Sequence, residues 1–473
     1  MNYPAWDVPV IGGGWVIGAI AIFHVLISHF AIGGGLYLPL AEQKARREGR
    51  EDWLKVLRSH AKFFLVLTGV WGAVTGVAIW FAIGLASPEG TSTLIHNFVF
   101  AWAIEWTFFF MELTCVAVYY YTWDKIPARL HIKVGYFYAV TSFFSLVIIN
   151  GILTFMLTPG ADWLSVAGTG RESSAFWSAL FNPTYFPSLF LRTLVCVSLA
   201  GVWALVTASR INADKEPRLK AEIVRYSVKW LLPAFFLMPV FFGWYLHLVP
   251  GSQRDLLHLG VSTVGPGTFT QVTRAVLVTV VTSATILAVV YFLAWRNPLG
   301  FKLGHALVVV LLALAATAST EQAREMLRKP YVVGEHMYSN GVRKSDVERL
   351  NREGYLTGSP WLRDDERLDP KSGRPLVPGS ARQLVLGTMM MRGQCMACHT
   401  VGGYRSLRAL LAERDLPAIR NILAMLRKPP DDSPYRLFMP PLVGTDSEVE
   451  ALAVYLHRLV HPPAAGPATA GAE

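Results

Sequence analysis

The pentapeptide Cys395–Met396–Ala397–Cys398–His399 is the part of this sequence whose chemistry is most specific. Covalent attachment of a c-type haem requires two thiols separated by two residues and followed at once by an imidazole. The thiols add to the haem vinyl groups, and the histidine supplies an axial nitrogen to the iron. A redox-active dithiol is the alternative interpretation. The pattern predicts one covalent haem c, held by Cys395, Cys398 and His399.

A methionine further along the chain is a candidate for the second axial ligand of this haem. Met439 begins the sequence Met439–Pro440–Pro441, and a thioether opposite an imidazole raises the potential of a haem. A buried packing methionine is the alternative. Residues 405–428 and 445–460 are predicted to be helices, and the second begins with a capping sequence. We therefore expect a small helical cytochrome c domain.

Most of the chain before this motif is strongly apolar. The sequence is 53% hydrophobic and contains 15 Trp, and its mean hydropathy is +0.37. This composition predicts an all-α polytopic membrane bundle. Eight segments are long enough to cross about 30 Å of hydrocarbon. They are residues 14–40, 62–86, 96–122, 131–158, 187–209, 229–250, 272–295 and 302–320.

The basic residues are concentrated in alternate loops. No Lys or Arg precedes Lys44, whereas seven follow between residues 44 and 62. The positive-inside rule then places both termini on the periplasmic side of a bacterial inner membrane. Haem is attached to c-type cytochromes on that side. Much of the net charge of +10 belongs to the inner loops, so it does not indicate nucleic-acid binding.

The predicted organisation has four parts. Residues 1–320 form the transmembrane haem-binding domain and residues 321–380 a polar periplasmic connector. Residues 381–461 form the cytochrome c domain, and residues 462–473, rich in Pro, Ala and Gly, form a disordered tail. The connector is too long to be a bare linker, so we expect part of it to pack on the membrane domain or on a partner.

Histidines within the predicted spans are candidate ligands for one or more haems b. A polar side chain in a bilayer costs free energy unless it is paired or ligating. His24 and His29 lie about 140° apart on the first helix, so they mark two different faces. His24 is well inside its span, and His247 lies near the outer end of the sixth. Histidines at span ends can also be interfacial residues without a ligand.

Two carboxylates and an arginine complete the candidate set. Glu105 and Glu112 are seven residues apart and share one face of the third helix. They would line a proton path or a haem pocket, or they would hold helices together as internally bonded carboxyls. Arg192 begins the fifth span, where a guanidinium suits a haem propionate or a lipid head group.

Several segments of the first five spans resemble subunit I of the cytochrome bd quinol oxidases. They are Phe-His-Val-Leu at 23–26, three glycines at 33–35, Met-Glu-Leu-Thr at 111–114, Trp-Asp-Lys-Ile at 123–126, Ser-Leu-Val-Ile-Ile-Asn-Gly at 145–151, Thr-Pro at 158–159 and Phe-Asn-Pro at 181–183. The resemblance covers residues 10–210. It implies that His24 ligates a high-spin haem and that Glu112 belongs to a third-helix glutamate pair. Glu105 lies one residue from the position of the other member.

The chain also departs from that family. Arg192 stands where the family has a fifth-helix histidine that ligates its low-spin haem, and the Gly-Arg-Gln-Pro-Trp signature of the quinol-binding loop is missing. The sequence therefore resembles a divergent bd-like bundle that is fused to a cytochrome c.

Three functions fit this sequence. The first is electron transfer between the quinone pool, or a b-type haem, and the periplasmic haem c, in exchange with a periplasmic cytochrome or another redox subunit. The second is a bd-like terminal oxidase that reduces oxygen with electrons delivered through the haem c. The third is a membrane anchor for a separate catalytic subunit. A second membrane subunit is expected by analogy with the bd oxidases.

Overall fold

A computed structural model of the chain describes residues 5–251, 254, 268–358, 380–430 and 433–462. Residues 463–473 of the predicted tail and residues 359–379 of the predicted connector lie outside the described residues.

Eight described helices are long and apolar enough to cross a membrane, so the predicted all-α bundle is confirmed. We number them α1 to α8: Gly13–Arg47, Glu51–Ala86, Pro88–Tyr121, Ala128–Phe155, Tyr185–Ser209, Pro217–Leu248, Thr268–Val289 and Leu303–Arg328. A π-helical stretch, Val290–Trp295, extends α7. Between α4 and α5 lie three short helices, Ala161–Val166, Glu172–Ala175 and Phe176–Leu180.

The ends of several helices lie beyond the predicted hydrophobic spans. α6 begins at Pro217, before the predicted span. Its polar first turns are helical because Leu219, Val224 and Val228 form a buried apolar stripe along one side. α8 continues to Arg328, so the charged residues 321–328, predicted to begin the connector, belong to a bundle helix.

The chain divides into two compact units, and most of the bundle forms one of them. This unit contains residues 18–81 and 93–328. Its helices approach closely at glycines of α1. A Cβ on Gly33 would lie only 1.9 Å from the Cys196 carbonyl oxygen of α5. A side chain at residue 33 would therefore force α1 and α5 apart.

A buried polar network joins α1, α3 and α4. The Glu42 carboxylate accepts hydrogen bonds from Tyr119 Oη at 2.7 Å, His131 Nδ1 at 2.9 Å and Arg46 Nε at 2.7 Å. His131 Nε2 donates to the Tyr119 carbonyl oxygen at 2.7 Å. His131 thus bridges the Glu42 carboxylate of α1 and the backbone of α3. The buried charge is thus compensated by a partner and by hydrogen bonds.

The second unit contains residues 1–17, 82–92 and 329–473. It has a two-stranded antiparallel sheet, β1 (Tyr331–Val333) and β2 (Met337–Tyr338). Its longer helices are α9 (Val347–Glu353), α10 (Ser380–Gln394), α11 (Leu407–Leu411), α12 (Leu416–Arg427) and α13 (Asp446–Val460). Short helical segments are Lys344–Asp346, Tyr355–Gly358 and Pro434–Leu437.

α10 and α13 cross at a glycine. A Cβ on Gly387 would lie 2.3 Å from the Ala451 carbonyl oxygen and 2.4 Å from Tyr455 Cβ. The two helices consequently touch backbone to backbone. This contact makes the segments on either side of residues 395–445 one folded body.

The described part of the predicted connector packs into this body. Tyr338, Leu350 and Leu356 share one buried cluster with apolar residues of α10, α12 and α13. The connector also reaches the first turn of α3, since a Cβ on Gly341 would lie 3.1 Å from Glu89 Cβ.

A buried carboxylate ties the connector to α13. Glu448 is 7% exposed and accepts hydrogen bonds from the backbone nitrogens of Tyr355 at 3.0 Å, Leu356 at 2.9 Å and Thr445 at 2.8 Å. The carboxylate therefore accepts from backbone N–H groups in the first turn of Tyr355–Gly358. It also completes the capping box at the start of α13.

We predict that Glu448→Ala loosens residues 354–358. Loss of the carboxylate leaves buried backbone N–H groups unpaired, which lowers the free energy of local opening by about 3 kcal/mol. This corresponds to roughly hundredfold faster opening of the segment. Hydrogen exchange of a peptide covering Tyr355 and Leu356 measures this rate. Glu450→Ala is the control, because Glu450 pairs with Arg420 at the surface and such pairs contribute under about 1 kcal/mol. Equal exchange in the two variants would contradict the assignment.

Candidate functional site

The segment that follows α10 presents two thiols and an imidazole in one turn. The backbone nitrogen of Cys398 donates to the Cys395 carbonyl oxygen at 3.2 Å, and that of His399 donates to the same oxygen at 2.9 Å. Cys395 and Cys398 are free cysteines. The local backbone therefore holds all three side chains of the motif on one short, hydrogen-bonded stretch.

The orientation of the His399 ring is fixed by the loop that follows it. His399 Nδ1 lies 2.9 Å from the Arg405 carbonyl oxygen. Because a carbonyl only accepts, Nδ1 carries the hydrogen. Burial lowers the pKa of His399, so the ring is neutral at neutral pH and Nε2 keeps its lone pair. Metal-ligating histidines are held in this way by a second hydrogen bond.

Thr400 closes this loop. Its hydroxyl donates to the Tyr404 carbonyl oxygen at 2.9 Å and accepts from the Gly403 backbone nitrogen at 2.8 Å. The position of the Arg405 carbonyl is thereby set by local hydrogen bonds.

The two thiols lie in different surroundings. Burial, and then the neighbouring Cys398, raise the pKa of Cys395 to about 12. Cys398 Sγ lies 3.8 Å from both Lys329 Nζ and Ser339 Oγ. In a redox-active dithiol the pKa of a thiol is lowered. The pKa of Cys395 is raised, so its environment differs from that of such a dithiol.

Met439 lies in the same compact unit, in the loop between Pro434–Leu437 and α13. It is half-buried, and its backbone nitrogen donates to the Tyr435 carbonyl oxygen at 2.8 Å. The residues after it are anchored by Gln394, a contact that the sequence analysis did not anticipate.

His24 is oriented by a hydroxyl of the neighbouring helix α2. Its Nδ1 lies 3.0 Å from Thr75 Oγ1, and Thr75 Oγ1 donates its own hydrogen to the Trp71 carbonyl oxygen at 2.7 Å. When Thr75 donates to a carbonyl of its own helix, it accepts from Nδ1–H, which leaves the lone pair of His24 on Nε2. A π-helical stretch, Val66–Gly72, immediately precedes this part of α2, and such stretches are frequent at functional sites.

The buried His29 and the half-buried Arg192 belong to a second polar group. His29 is 4% exposed, and its Nδ1–H donates to the Val25 carbonyl oxygen at 2.8 Å. It interacts electrostatically with Arg192 and Glu321. Glu321 also binds Arg324, with 2.8 Å between Oε2 and Nη2. Glu321 and Arg324 were not predicted as site residues, since sequence analysis placed them in the connector.

Arg192 is held by a chain of hydrogen bonds from α4. Its Nε donates to Ser188 Oγ at 3.3 Å, and Ser188 Oγ donates to Asn150 Oδ1 at 2.7 Å. Among the described residues, the buried Arg324 Nη1 has no hydrogen-bond acceptor. A buried guanidinium nitrogen with a free hydrogen suits a carboxylate such as a haem propionate.

Glu105 and Glu112 share one polar neighbour, as their common helix face predicts. Ser145 Oγ of α4 donates to Glu105 Oε1 at 3.1 Å and also interacts with Glu112. In the described part of the chain, the buried Glu112 Oε1 has no hydrogen-bond partner. The pair thus retains an unsatisfied oxygen inside the bundle.

Two further histidines lie in contrasting surroundings. His247 lies at an exposed position near the end of α6, whereas His29 of α1 is buried. His60 of α2 is 2% exposed, and its Nδ1 lies 2.8 Å from Thr207 Oγ1. The helical spacing of Trp53, Leu57, His60 and Phe64 is the sequence signal for this burial.

The comparisons with known proteins agree on the membrane part. Residues 14–247 match the family model of cytochrome bd terminal oxidase subunit I. A curated relative, the putative cytochrome bd menaquinol oxidase subunit I of Bacillus subtilis (strain 168), is 22% identical over 226 residues. That match covers 48% of this chain and about half of the relative's length, 50%.

A solved structure extends the similarity in fold. The bd oxidase from Geobacillus thermodenitrificans covers 82% of this chain and 95% of its own, with a TM-score of 0.57 and 14% identity. This likeness shows the fold. The predicted resemblance of the bundle is thereby confirmed, and the chain contains a membrane domain of the cytochrome bd subunit I family.

Proposed function

We propose that this protein carries electrons between the quinone pool, or a b-type haem in its bundle, and a haem c held at residues 395–399. The observation that carries the proposal is His399. Its Nδ1 is bound to Arg405 and its Nε2 keeps a lone pair, beside two free thiols, in a chain that contains a bd subunit I domain.

The haem c residues have separate tasks. Cys395 and Cys398 would attach the porphyrin, His399 would ligate the iron through Nε2, and Met439 would supply the second ligand. When bound, this group supplies a one-electron carrier whose potential is raised by the thioether. The Arg405 carbonyl and the Thr400 hydroxyl keep the imidazole in the required tautomer.

The bundle residues fit at least one haem b. His24 would provide an axial nitrogen, with Thr75 fixing its tautomer. Arg192, with Arg324 beside it, would bind a propionate. Glu105 and Glu112 would line the pocket, and His29 and His247 are further candidate ligands. A haem b there supplies a second one-electron carrier.

The proposed setting follows from the charge pattern. Both termini lie on the periplasmic side of the bacterial inner membrane, and residues 381–461 form the cytochrome c domain beyond the connector that follows α8. The partners are quinol, a periplasmic cytochrome or another redox subunit, and a second membrane subunit. The Bacillus relative is named a menaquinol oxidase, which favours a quinol as the membrane-side electron donor.

Quinol-driven reduction of the haem c tests this function. In vesicles containing the purified protein, a reduced menaquinone analogue is expected to reduce the haem c, as followed by its visible absorption. His24→Ala should abolish this reduction, while dithionite still reduces the haem c in the variant. Quinol-driven reduction at an unchanged rate in His24→Ala would contradict the proposed route.

A bd-like terminal oxidase is the second candidate function. It is favoured by the match to a terminal oxidase family and by the buried pair Glu105 and Glu112. Carbon monoxide distinguishes the two, because only an iron with an open coordination position binds it. We expect the reduced spectrum to stay unchanged on addition of carbon monoxide. A shifted b- or d-type band would instead support the oxidase.

Thr75→Val should weaken haem b binding. The variant removes the acceptor of His24 Nδ1–H, and loss of such a partner typically lowers metal affinity about 10–100-fold. The ratio of haem b to haem c in the purified chain measures the effect. Thr114→Val is the matched control, because the Thr114 hydroxyl donates within its own helix to the Phe110 carbonyl oxygen. An unchanged ratio in Thr75→Val would contradict the role of Thr75 in holding His24.

A further inference from the structure

Gln394 is the last residue of α10 and directly precedes Cys395. Its side chain is buried (8% exposed) and makes two hydrogen bonds with the backbone of a single distant residue. Nε2 donates to the Val443 carbonyl oxygen at 2.8 Å, and the Val443 backbone nitrogen donates to Oε1 at 2.9 Å. The amide therefore pairs with Val443 as a neighbouring strand would.

Val443 lies four residues after Met439 and is fully buried. The residues beside it are also anchored. Leu442 N donates to the Leu426 carbonyl oxygen at 3.1 Å, and Gly444 N donates to Asn351 Oδ1 at 3.0 Å. Upstream, Met439 N donates to Tyr435. The segment 439–444 is thus held at both ends, and its downstream end is held by the residue next to the haem attachment motif.

Only a side chain that offers a donor and an acceptor side by side can make both bonds to Val443. A carboxylate offers two acceptors, and an apolar side chain would leave a buried N–H and C=O unpaired. The same amide donates weakly to Met390 Sδ, 3.6 Å from Nε2. Gln394 is accordingly a specific link between the motif and the Met439 loop.

We propose that Gln394 is a positioning residue that keeps Met439 on the iron of the haem c. The proposal rests on the function proposed above, in which Met439 is the second axial ligand. The Cys395 side of the site is fixed by covalent attachment, and the amide fixes the Met439 segment relative to it. Loss of the amide uncouples that segment from the motif, while the thiols and His399 stay in place.

The test is the spectrum of the ferric haem c in the purified full-length protein. Methionine–iron coordination gives a weak long-wavelength absorption band. Gln394→Ala is expected to lose this band and to lower the potential of the haem c, with the haem still covalently attached. An unchanged band and potential in this variant would overturn the proposal.

In the variant Gln394→Glu, lowering the pH is expected to restore the lost hydrogen bond. At neutral pH its carboxylate accepts from Val443 N but repels the Val443 carbonyl oxygen, so the band should be weak. A protonated carboxyl again offers a donor beside an acceptor, so the band should recover as the pH falls. The unsubstituted protein should keep its band throughout the same range. If Gln394→Ala does not mature, a full band at neutral pH in Gln394→Glu overturns the proposal.

Two controls separate the possible failures. Thr445→Ala removes the cap of α13 in the same region without touching the Gln394 amide, so it should keep the band. If Thr445→Ala also lost the band, a general loosening of this region would be sufficient to explain the loss. That result would overturn the specific role of Gln394. Met439→Ala tests the ligand itself. A spectrum unaffected by this change contradicts Met439 ligation and both proposals, whereas a band that needs Met439 but not Gln394 contradicts only the second.

Discussion

A buried imidazole has two ring nitrogens, and the protein has to satisfy one before the other can serve a metal. This constraint organises both candidate sites. His399 donates Nδ1–H to the Arg405 carbonyl oxygen, and His24 donates Nδ1–H to Thr75. His29 does the same with a carbonyl of its own helix. In each case the lone pair is left on Nε2, and the orientation of the ring depends on an element outside the ligand itself.

The surrounding helices and loops hold the candidate ligands in place. In the bundle, the π-helical stretch of α2 lies beside Thr75, and a Cβ on Gly76 would lie 3.2 Å from His24 Cε1, so the imidazole is closely packed. In the other unit, the crossing of α10 and α13 at Gly387 joins the two segments that flank the motif. Gln394 then connects the motif to the Met439 loop. Hydrogen bonds between elements distant in sequence therefore position the candidate ligands.

The features of the fold and of the site that depend on local sequence pattern were predictable. Continuous apolar segments predicted all eight bundle helices, but not where they end, because the polar turns of α6 and α8 are helical through tertiary packing. Residue types and spacing singled out His399 and His24. The contact of His24 with Thr75, 51 residues away, and that of Gln394 with Val443, 49 residues away, were not predictable. Such pairs exist only once the helices are packed.

The proposed function requires one chain to combine a bd-like haem b bundle with a covalent haem c. Mass spectrometry of the denatured, purified chain tests it most directly, together with a count of the haem released by acidic acetone. The account predicts that the peptide containing Cys395 and Cys398 carries the added mass of one haem and that at least one haem b is extracted per chain. An unmodified peptide, or a chain that yields no extractable haem, would contradict it.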